Sequence, residues 1–166
     1  MATQNLSHSE AIQKLKKLAE DARVCMMTTN LDQRPASARP MYLQEVDDEG
    51  SLWFISNKTS DKNVELKNNS KTQLYFMNEG NSEYLSIYGD VQIFTDQPTI
   101  DKHWSIMANA WFDGKEDPEV SILKVNAIDV RYWDTKHGKF LDMAMMLYSA
   151  VTGDRKNGGV EGKLVV

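Results

Sequence analysis

A cluster of hydroxyl, amide and ammonium groups follows an apolar segment, residues 52–55, in the first half of the chain. Ser56 and Asn57 come directly after that segment, and Ser60 and Lys62 follow within five residues. A phosphate needs several hydrogen-bond donors and positive charge in exchange for its water, and the N-terminus of a helix offers both. The pattern therefore predicts a phosphate site where a strand ends and a helix begins. A plain N-cap at Ser60, with the lysine in solvent, is the alternative.

A second cation, Arg39, lies within a segment with the pattern of a strand and is followed by Pro40 and Met41. Strand alternation places Ser37, Arg39 and Met41 on one face. An arginine there recognises an anionic ligand or forms a salt bridge at the rim of the sheet. Because a proline has no N–H group, Pro40 leaves part of a neighbouring strand unpaired, and a ligand ring can bond to that backbone.

Aromatic residues stand near the ends of other predicted elements. Trp111 and Phe112 lie in a predicted loop beside Gly114, and Tyr132 and Trp133 end the last predicted strand. Flat side chains in such places can cover a flat heterocycle. Burial in the core or in a dimer interface is the alternative for each of them.

Hydrophobic periodicity predicts the elements that hold these residues. Six strands are predicted, over residues 24–29, 35–46, 51–56, 72–77, 84–95 and 121–133. Helices are predicted over residues 7–22, 60–69, 98–109 and 138–150, the last of them rich in methionine. Gly89 indicates a bend or a close backbone approach within its strand, and the alternation shifts near Asn126, as at a β-bulge. Short links and the absence of a βαβ rhythm favour a mainly β fold, an antiparallel six-stranded barrel with short flanking helices.

Composition limits the class of protein. The 166 residues fit a single domain, which we place at residues 1–153, with a glycine-rich, flexible C-terminal tail at 154–166. The net charge of −5 argues against a general nucleic-acid coat. The single cysteine, Cys25, lies in an apolar run and is interpreted as a buried filler rather than a reactive thiol.

No signal peptide or membrane-spanning run is recognised, so a cytoplasmic location without membrane contact is expected. The three histidines lack metal-ligand spacing, and no metal site is predicted.

Several of these segments, taken in order, resemble the pyridoxamine 5′-phosphate oxidase-like flavoproteins, and most closely their general stress protein branch. The matching segments are residues 39–42, 52–57, 60–62, 89–91, 110–118, 123–125 and 132–134. Their order and spacing extend over about residues 8 to 153. Each motif is weak by itself, whereas the ordered set is fairly specific.

This resemblance implies a split β-barrel homodimer that binds FMN at the subunit interface. FAD or a deazaflavin is the less favoured cofactor. The resemblance assigns the phosphate, the ribityl chain and the edge of the ring to two segments, the one around Arg39 and the corner from Ser56 to Lys62. It places Trp111 near the flavin and lets Trp133 come from the partner subunit. The residues assigned to the cofactor are Arg39, Pro40, Met41, Ser56, Asn57, Ser60, Lys62, Trp111 and Trp133.

Two departures from the oxidase itself bear on the activity. Asp61 stands where the oxidase has an arginine between the serine and lysine of its phosphate corner, and the oxidase's C-terminal substrate motif of arginine and histidine is missing. Oxidation of pyridoxamine phosphate is therefore not expected. A flavin-dependent oxidoreductase with an unknown small-molecule substrate is the first hypothesis. The alternatives are a non-catalytic flavin-binding stress or sensor module, a deazaflavin-dependent reductase, and a dimeric interaction protein with an adaptable surface at Met143, Met145 and Met146.

Overall fold

The computed structural model of the chain describes residues 2–135 and 159–166. The strands are β1 (Ala2–Thr3), β2 (Leu6–Ser7), β3 (Val24–Thr29), β4 (Ser37–Val46), β5 (Leu52–Asn57), β6 (Lys71–Asn78), β7 (Glu83–Phe94), β8 (Val120–Thr135) and β9 (Gly159–Val165). The helices are α1 (His8–Ala22), α2 (Asp61–Asn68), α3 (Gln97–His103) and a 3₁₀ helix (Ile106–Ala110).

Six strands close a barrel in the order β3, β4, β5, β8, β7 and β6, with β6 pairing again with β3. All six pairings are antiparallel. The predicted six-stranded antiparallel barrel is therefore confirmed. Strand β3 has the predicted bounds, because its alternation is regular: Cys25 and Met27 are buried, whereas Val24 and Met26 are exposed.

The main core fills the barrel and extends to helix α1, which contributes Leu15, Leu18 and Ala19. These residues recur at helical spacing and form one apolar face, as the sequence predicts. Cys25 belongs to this core, and burial raises the pKa of its thiol to about 12. The predicted role of Cys25 as a buried filler is confirmed. A smaller apolar cluster forms where α3 and β8 meet β5, around Trp53, Ile100 and Ile122.

The helix predicted over residues 98–109 is interrupted in the structure. Helix α3 ends at His103, and the 3₁₀ helix begins at Ile106. The Ser105 hydroxyl accepts a hydrogen bond from the Met107 amide, which caps the second helix, and Trp104 has an extended backbone. His103 is buried and its ring stacks on Trp53 at 3.8 Å. This tertiary contact, which local periodicity does not reveal, fixes the end of α3.

The described part of the predicted flexible tail is a strand. Strand β9 pairs antiparallel with β8 and parallel with β1 and β2. Gly162, one of the glycines that suggested flexibility, permits a close contact: a Cβ atom on it would lie 1.8 Å from the carbonyl oxygen of Gln4. Glycine in a strand often has this role. Residues 159–165 thus form a paired strand, residues 154–158 lie outside the described part, and the flexibility of the tail stays a prediction.

Two smaller predictions concern the longest strands. A Cβ atom on Gly89 would lie 2.7 Å from the Asn126 carbonyl oxygen, so the predicted close approach is confirmed. The register between β7 and β8 shifts at Tyr88 and Gly89, two residues of β8 beyond the predicted bulge near Asn126.

Three expectations remain after the fold is described. The methionine-rich helix predicted over residues 138–150, with its proposed surface, lies outside the described residues. No helix within residues 2–135 and 159–166 is long and apolar enough to cross a membrane. The cytoplasmic location remains a prediction.

Candidate functional site

A pocket of about 490 Å³ lies against β4 and β5, and residues 107–112 complete its lining. Strand β5 brings Ser56 and Asn57 to one end of the pocket, where helix α2 follows and contributes Lys62. The lining residues are Pro40, Met41, Tyr42, Gln44, Ile55, Ser56, Asn57, Lys62, Met107, Ala108, Trp111 and Phe112. The pocket therefore contains six of the nine residues that the sequence assigns to cofactor binding: Pro40, Met41, Ser56, Asn57, Lys62 and Trp111.

Lys62 is a buried cation at the end of this pocket, with 8% of its surface exposed. Its ammonium group donates to the hydroxyl of Ser56 and, at 3.2 Å, to that of Ser60. Within the described part of the chain, no carboxylate lies at ion-pair distance from it. Burial, together with the positive charge of Arg39, lowers the pKa of Lys62 to about 8. An unpaired buried cation is costly, and an anion in the pocket would remove most of that cost.

A chain of buried hydrogen bonds holds Ser56 in place. The Ser56 hydroxyl donates to the Asn63 side chain at 2.7 Å, and the Asn63 amide donates to the Ser121 hydroxyl at 2.8 Å. The Ser121 hydroxyl in turn donates to the Ser56 carbonyl at 3.0 Å. These bonds connect β5, α2 and β8, so the corner from Ser56 to Lys62 is fixed by side chains that are themselves buried.

The start of helix α2 differs from a plain N-cap. Ser60 is the N-cap residue, but its side chain makes no capping bond and donates to the Asn57 carbonyl at 2.7 Å. Because Lys62 is also buried rather than solvated, the plain-cap interpretation is wrong. Thr59 is exposed and donates to the Asn57 side-chain oxygen at 2.7 Å, and Asp61 is exposed in the first turn of the helix.

Arg39 does not line the pocket; it forms the salt bridge that the sequence left as the alternative. Its guanidinium contacts Glu65 at 3.1 Å and donates to the Thr29 hydroxyl, while Ser37 donates to Glu65 at 2.7 Å. Burial raises the pKa of Glu65, but the hydrogen bonds from Thr29, Ser37 and Arg39 outweigh it and hold the pKa below its usual value. This network fastens α2 to β3 and β4 beside Lys62.

The two tryptophans assigned to the cofactor lie in different places. Trp111, with 71% of its surface exposed, stands at the rim of the pocket, where Phe112 also contributes to the lining. Trp133 lines a separate groove on β8 and β9 and donates to Glu161 at 3.1 Å. A single subunit therefore brings Trp111, but not Trp133, to the pocket.

Several lining residues were not assigned to the cofactor from the sequence. Tyr42 and Gln44 follow Pro40 at two-residue spacing along β4, so strand alternation alone would have placed all three on one surface. Met107 and Ala108 belong to the 3₁₀ helix, which local periodicity had merged with α3. No sequence signal identifies those two.

Comparison with known proteins identifies relatives of this chain. A model of the family described as pyridoxamine 5′-phosphate oxidase like matches residues 10–157. Protein bli-3 of Neurospora crassa is 29% identical to this chain over 150 residues, which cover 81% of this chain and 71% of that protein.

Two crystal structures share the fold. A candidate general stress protein 26 from Jannaschia sp. CCS1 superposes with a TM-score of 0.73 at 24% identity, over 95% of this chain and 98% of that one. The general stress FMN/FAD binding protein of Xanthomonas citri gives a TM-score of 0.66 at 26% identity, over 76% of this chain and 90% of that one. Because the family model extends over nearly the whole chain, this protein belongs to the pyridoxamine 5′-phosphate oxidase-like family, as the sequence resemblance implies.

Proposed function

We propose that this protein binds a phosphorylated flavin, FMN in the first instance, and acts as a flavin-dependent oxidoreductase on a small molecule. The observation that carries the proposal is Lys62, a buried ammonium group without a carboxylate partner among the described residues, at the end of a pocket. Family membership supports the same reading, and one structural relative is named an FMN/FAD binding protein.

The pocket suits this cofactor in size and in the distribution of polar groups. Its volume of about 490 Å³ lies in the range of roughly 300–1,000 Å³ that is typical of ligand sites. One end carries Lys62, Ser56 and Asn57, whereas Trp111 and Phe112 lie beside apolar residues elsewhere in the lining. A ligand with an anionic tail and a flat ring matches this arrangement.

Each group of residues then has a distinct task. Lys62 binds the phosphate, and the backbone amides of Asp61 and Lys62, which precede the first amide bonded within the helix, add donors. Pro40 and Met41 contact the ring along β4, and Trp111 shields it from water. Arg39 acts from outside the pocket, by holding α2 in position through Glu65. When bound, the isoalloxazine supplies the redox chemistry.

The partner subunit in this proposal is a second copy of the same chain. Exposed apolar side chains on adjacent strands form one surface, which we call the sheet patch: Val24, Met26, Tyr75, Met77 and Tyr84. Met26 pairs with Tyr75 across β3 and β6, and Met26 also pairs with Pro40 of the pocket across β3 and β4. The patch is therefore continuous with the pocket, and a homodimer through it would cover the open side of the flavin.

The decisive experiment is the visible absorption spectrum of the purified protein, followed by mass identification of any released chromophore. Flavin bands and a mass equal to FMN support the proposal. If the protein is colourless, titration with FMN and riboflavin shows whether the pocket requires the phosphate. If the protein binds neither FMN nor riboflavin, the proposal is contradicted.

A non-catalytic flavin-binding module is the second candidate. It is favoured by the lining of the pocket, in which Lys62 and Tyr42 are the only titratable residues among those described. Reduction of the bound flavin by a nicotinamide donor, followed by turnover with an acceptor, supports the enzyme. Binding without donor-dependent turnover supports the module, and a deazaflavin supplied in place of FMN tests the remaining variant.

A further inference from the structure

The hydrogen bonds around Lys62 suit a neutral amine better than an ammonium ion. The Lys62 nitrogen donates to the Ser56 hydroxyl and, at 3.2 Å, to the Ser60 hydroxyl. Both hydroxyls donate their own protons elsewhere, Ser56 to the Asn63 side chain at 2.7 Å and Ser60 to the Asn57 carbonyl at 2.7 Å. Toward Lys62 they therefore act only as acceptors.

The number of these acceptors equals the number of N–H groups in a neutral amine. An ammonium group has three N–H donors, and residues 2–135 and 159–166 offer Lys62 no third acceptor within hydrogen-bond distance. A neutral amine has two N–H groups, which are both bonded here, and a lone pair in the third position. That position is left to a molecule in the pocket that Lys62 lines. A lysine needs this lone pair to act as a nucleophile.

The charges near Lys62 also favour its neutral form. In the described part of the chain no carboxylate lies within ion-pair distance of Lys62, and Glu65 is held at 3.1 Å by the Arg39 guanidinium. Burial and the positive charge of Arg39 lower the pKa of Lys62 to about 8. About half of the Lys62 side chains are therefore neutral at pH 8, compared with roughly 0.3% for a lysine of ordinary pKa.

The surroundings of Lys62 indicate which kind of electrophile fits. The pocket of about 490 Å³ admits a small molecule, and its described lining contains no carboxylate that would repel an anion. The backbone amides of Asp61 and Lys62 precede the first amide bonded within helix α2, and such amides bind phosphate. An acyl phosphate combines a phosphate for these donors with a carbonyl carbon that an amine can attack.

We propose that Lys62 of the flavin-free protein is a site of acylation by small acyl phosphates. The neutral amine attacks the carbonyl carbon, an N–C bond forms, and the bond from that carbon to the phosphate oxygen breaks. The electron pair of the broken bond leaves with inorganic phosphate, which also takes up the amine proton, so no other reactant is needed.

The product is an uncharged amide in place of the only cation in the described lining of the pocket. Acylation should therefore weaken the binding of an anionic cofactor. The acylation itself does not rest on the proposed flavin function, whereas this effect on cofactor binding does.

The test treats the flavin-free full chain with acetyl phosphate and measures the acetylation rate of each lysine by peptide mass spectrometry. Lys67 is the internal control, because it lies on the same helix and is exposed. At pH 8 we expect Lys62 to react at least roughly tenfold faster than Lys67, because far more of it is neutral. The rate at Lys62 should level off above about pH 8, whereas the rate at an ordinary lysine still rises at about pH 10.

A second arm connects the modification with the cofactor. FMN added before acetyl phosphate should protect Lys62 and leave the rate at Lys67 unchanged. Acetylation of the wild type should raise the Kd for FMN at least roughly tenfold. Lys62→Arg keeps a cation that acetyl phosphate does not acylate, so the same treatment should leave the FMN affinity of this variant unchanged.

Equal rates at Lys62 and Lys67 in the flavin-free protein would overturn the proposal, and so would a Lys62 rate that still rises at about pH 10. An equal loss of FMN affinity in the wild type and Lys62→Arg would overturn the assigned effect on the cofactor. If FMN neither binds nor protects, the proposed function fails, while faster acetylation of Lys62 still supports this site. If FMN binds and Lys62 reacts no faster than Lys67, the acylation site alone is rejected.

Discussion

At the scale of single residues, the buried charge of Lys62 lowers the stability of the folded protein, and the proposed flavin phosphate would neutralise that charge. Its replacement by alanine should weaken FMN binding by about 1.5–3 kcal/mol, which corresponds to roughly a 10- to 150-fold higher Kd. The fold should be retained, because no carboxylate in the described region depends on this lysine. Flavin fluorescence quenching measures the Kd, and the near-ultraviolet circular dichroism spectrum monitors the fold.

Asp61→Asn is the matched control for this change. Asp61 is adjacent to Lys62 in sequence but is exposed, so its charge is screened by solvent. We expect its FMN affinity to stay within about threefold of the wild type. A large gain in affinity would show that Asp61 opposes the phosphate.

The depressed pKa of Lys62 makes the stability of the flavin-free protein depend on pH. Its pKa is about 8 in the folded chain, whereas the ordinary lysine value, which we take for the unfolded chain, is 10.5. Between these values the unfolded state binds more protons, so the free energy of unfolding should rise with pH in this window. Below pH 8 the lysine is charged in both states, and the folded state bears the full desolvation cost. Urea denaturation of the wild type and Lys62→Met across pH 7–10.5 isolates the effect, which should be present only in the wild type.

Arg39 stabilises Glu65, so its removal should affect the fold first. Arg39→Ala leaves a partly buried carboxylate with fewer partners, which should lower the free energy of unfolding by about 1–3 kcal/mol. Adding Glu65→Gln removes that unpaired charge and should recover part of the loss. Chemical denaturation of the two single variants and the double variant measures this coupling. Additive losses would mean that the two side chains do not act together.

At the scale of elements, the contact between β7 and β8 depends on a glycine. A Cβ atom on Gly89 would meet the Asn126 backbone at 2.7 Å and the Val125 side chain at 2.8 Å. Gly89→Ala should therefore cost about 1–3 kcal/mol of unfolding free energy. Gly80→Ala is the control, because its nearest neighbour is a side-chain oxygen of Asn78 at 3.2 Å, which can move. Equal stability of both variants would contradict the steric argument.

The elements also show which parts of the fold local sequence patterns can predict. Strand β3 and helix α1 were predicted closely, because their apolar residues alternate or recur within a few positions and their burial follows. The end of α3 and the whole of β9 were not predicted, because each depends on contacts with residues that are distant in sequence. His103 packs on Trp53, and Gly162 accommodates Gln4.

The candidate site was likewise predicted where its residues are close in sequence and missed where they are far apart. Ser56, Asn57 and Lys62 are close in sequence, so their chemistry could be recognised as a unit. The partnership of Arg39 with Glu65 joins residues 26 positions apart on a strand and a helix. Nothing in the composition of either segment indicates that the arginine is satisfied there rather than in the pocket.

At the scale of the whole molecule, the sheet patch leads to a prediction about assembly. A glutamate at Met26 would place two like charges at an apolar interface between copies, so Met26→Glu should shift the protein from dimer to monomer. Val64→Glu is the control, because Val64 is 50% exposed on α2 and lies outside the patch. Light scattering coupled to size-exclusion chromatography gives the mass of each. A wild-type monomer, or a dimer that survives Met26→Glu, would contradict the proposed interface.

Flavin binding offers a second measure of the same interface. If the partner closes the pocket, the monomeric Met26→Glu variant should bind FMN more weakly although every lining residue is unchanged. Unchanged affinity in a monomer would mean that one chain suffices for the cofactor.

The parallel pairing of β9 with β1 and β2 also has a consequence for synthesis on the ribosome. The chain is made from its N-terminus, so β1 and β2 remain without their partner strand until residues 159–165 have emerged. During that interval the Gln4 carbonyl and the outer edge of β8 are both open to other strands. Nascent chains that stall before residue 159 should therefore be more prone to aggregation than the released protein, although all six barrel strands have already been made.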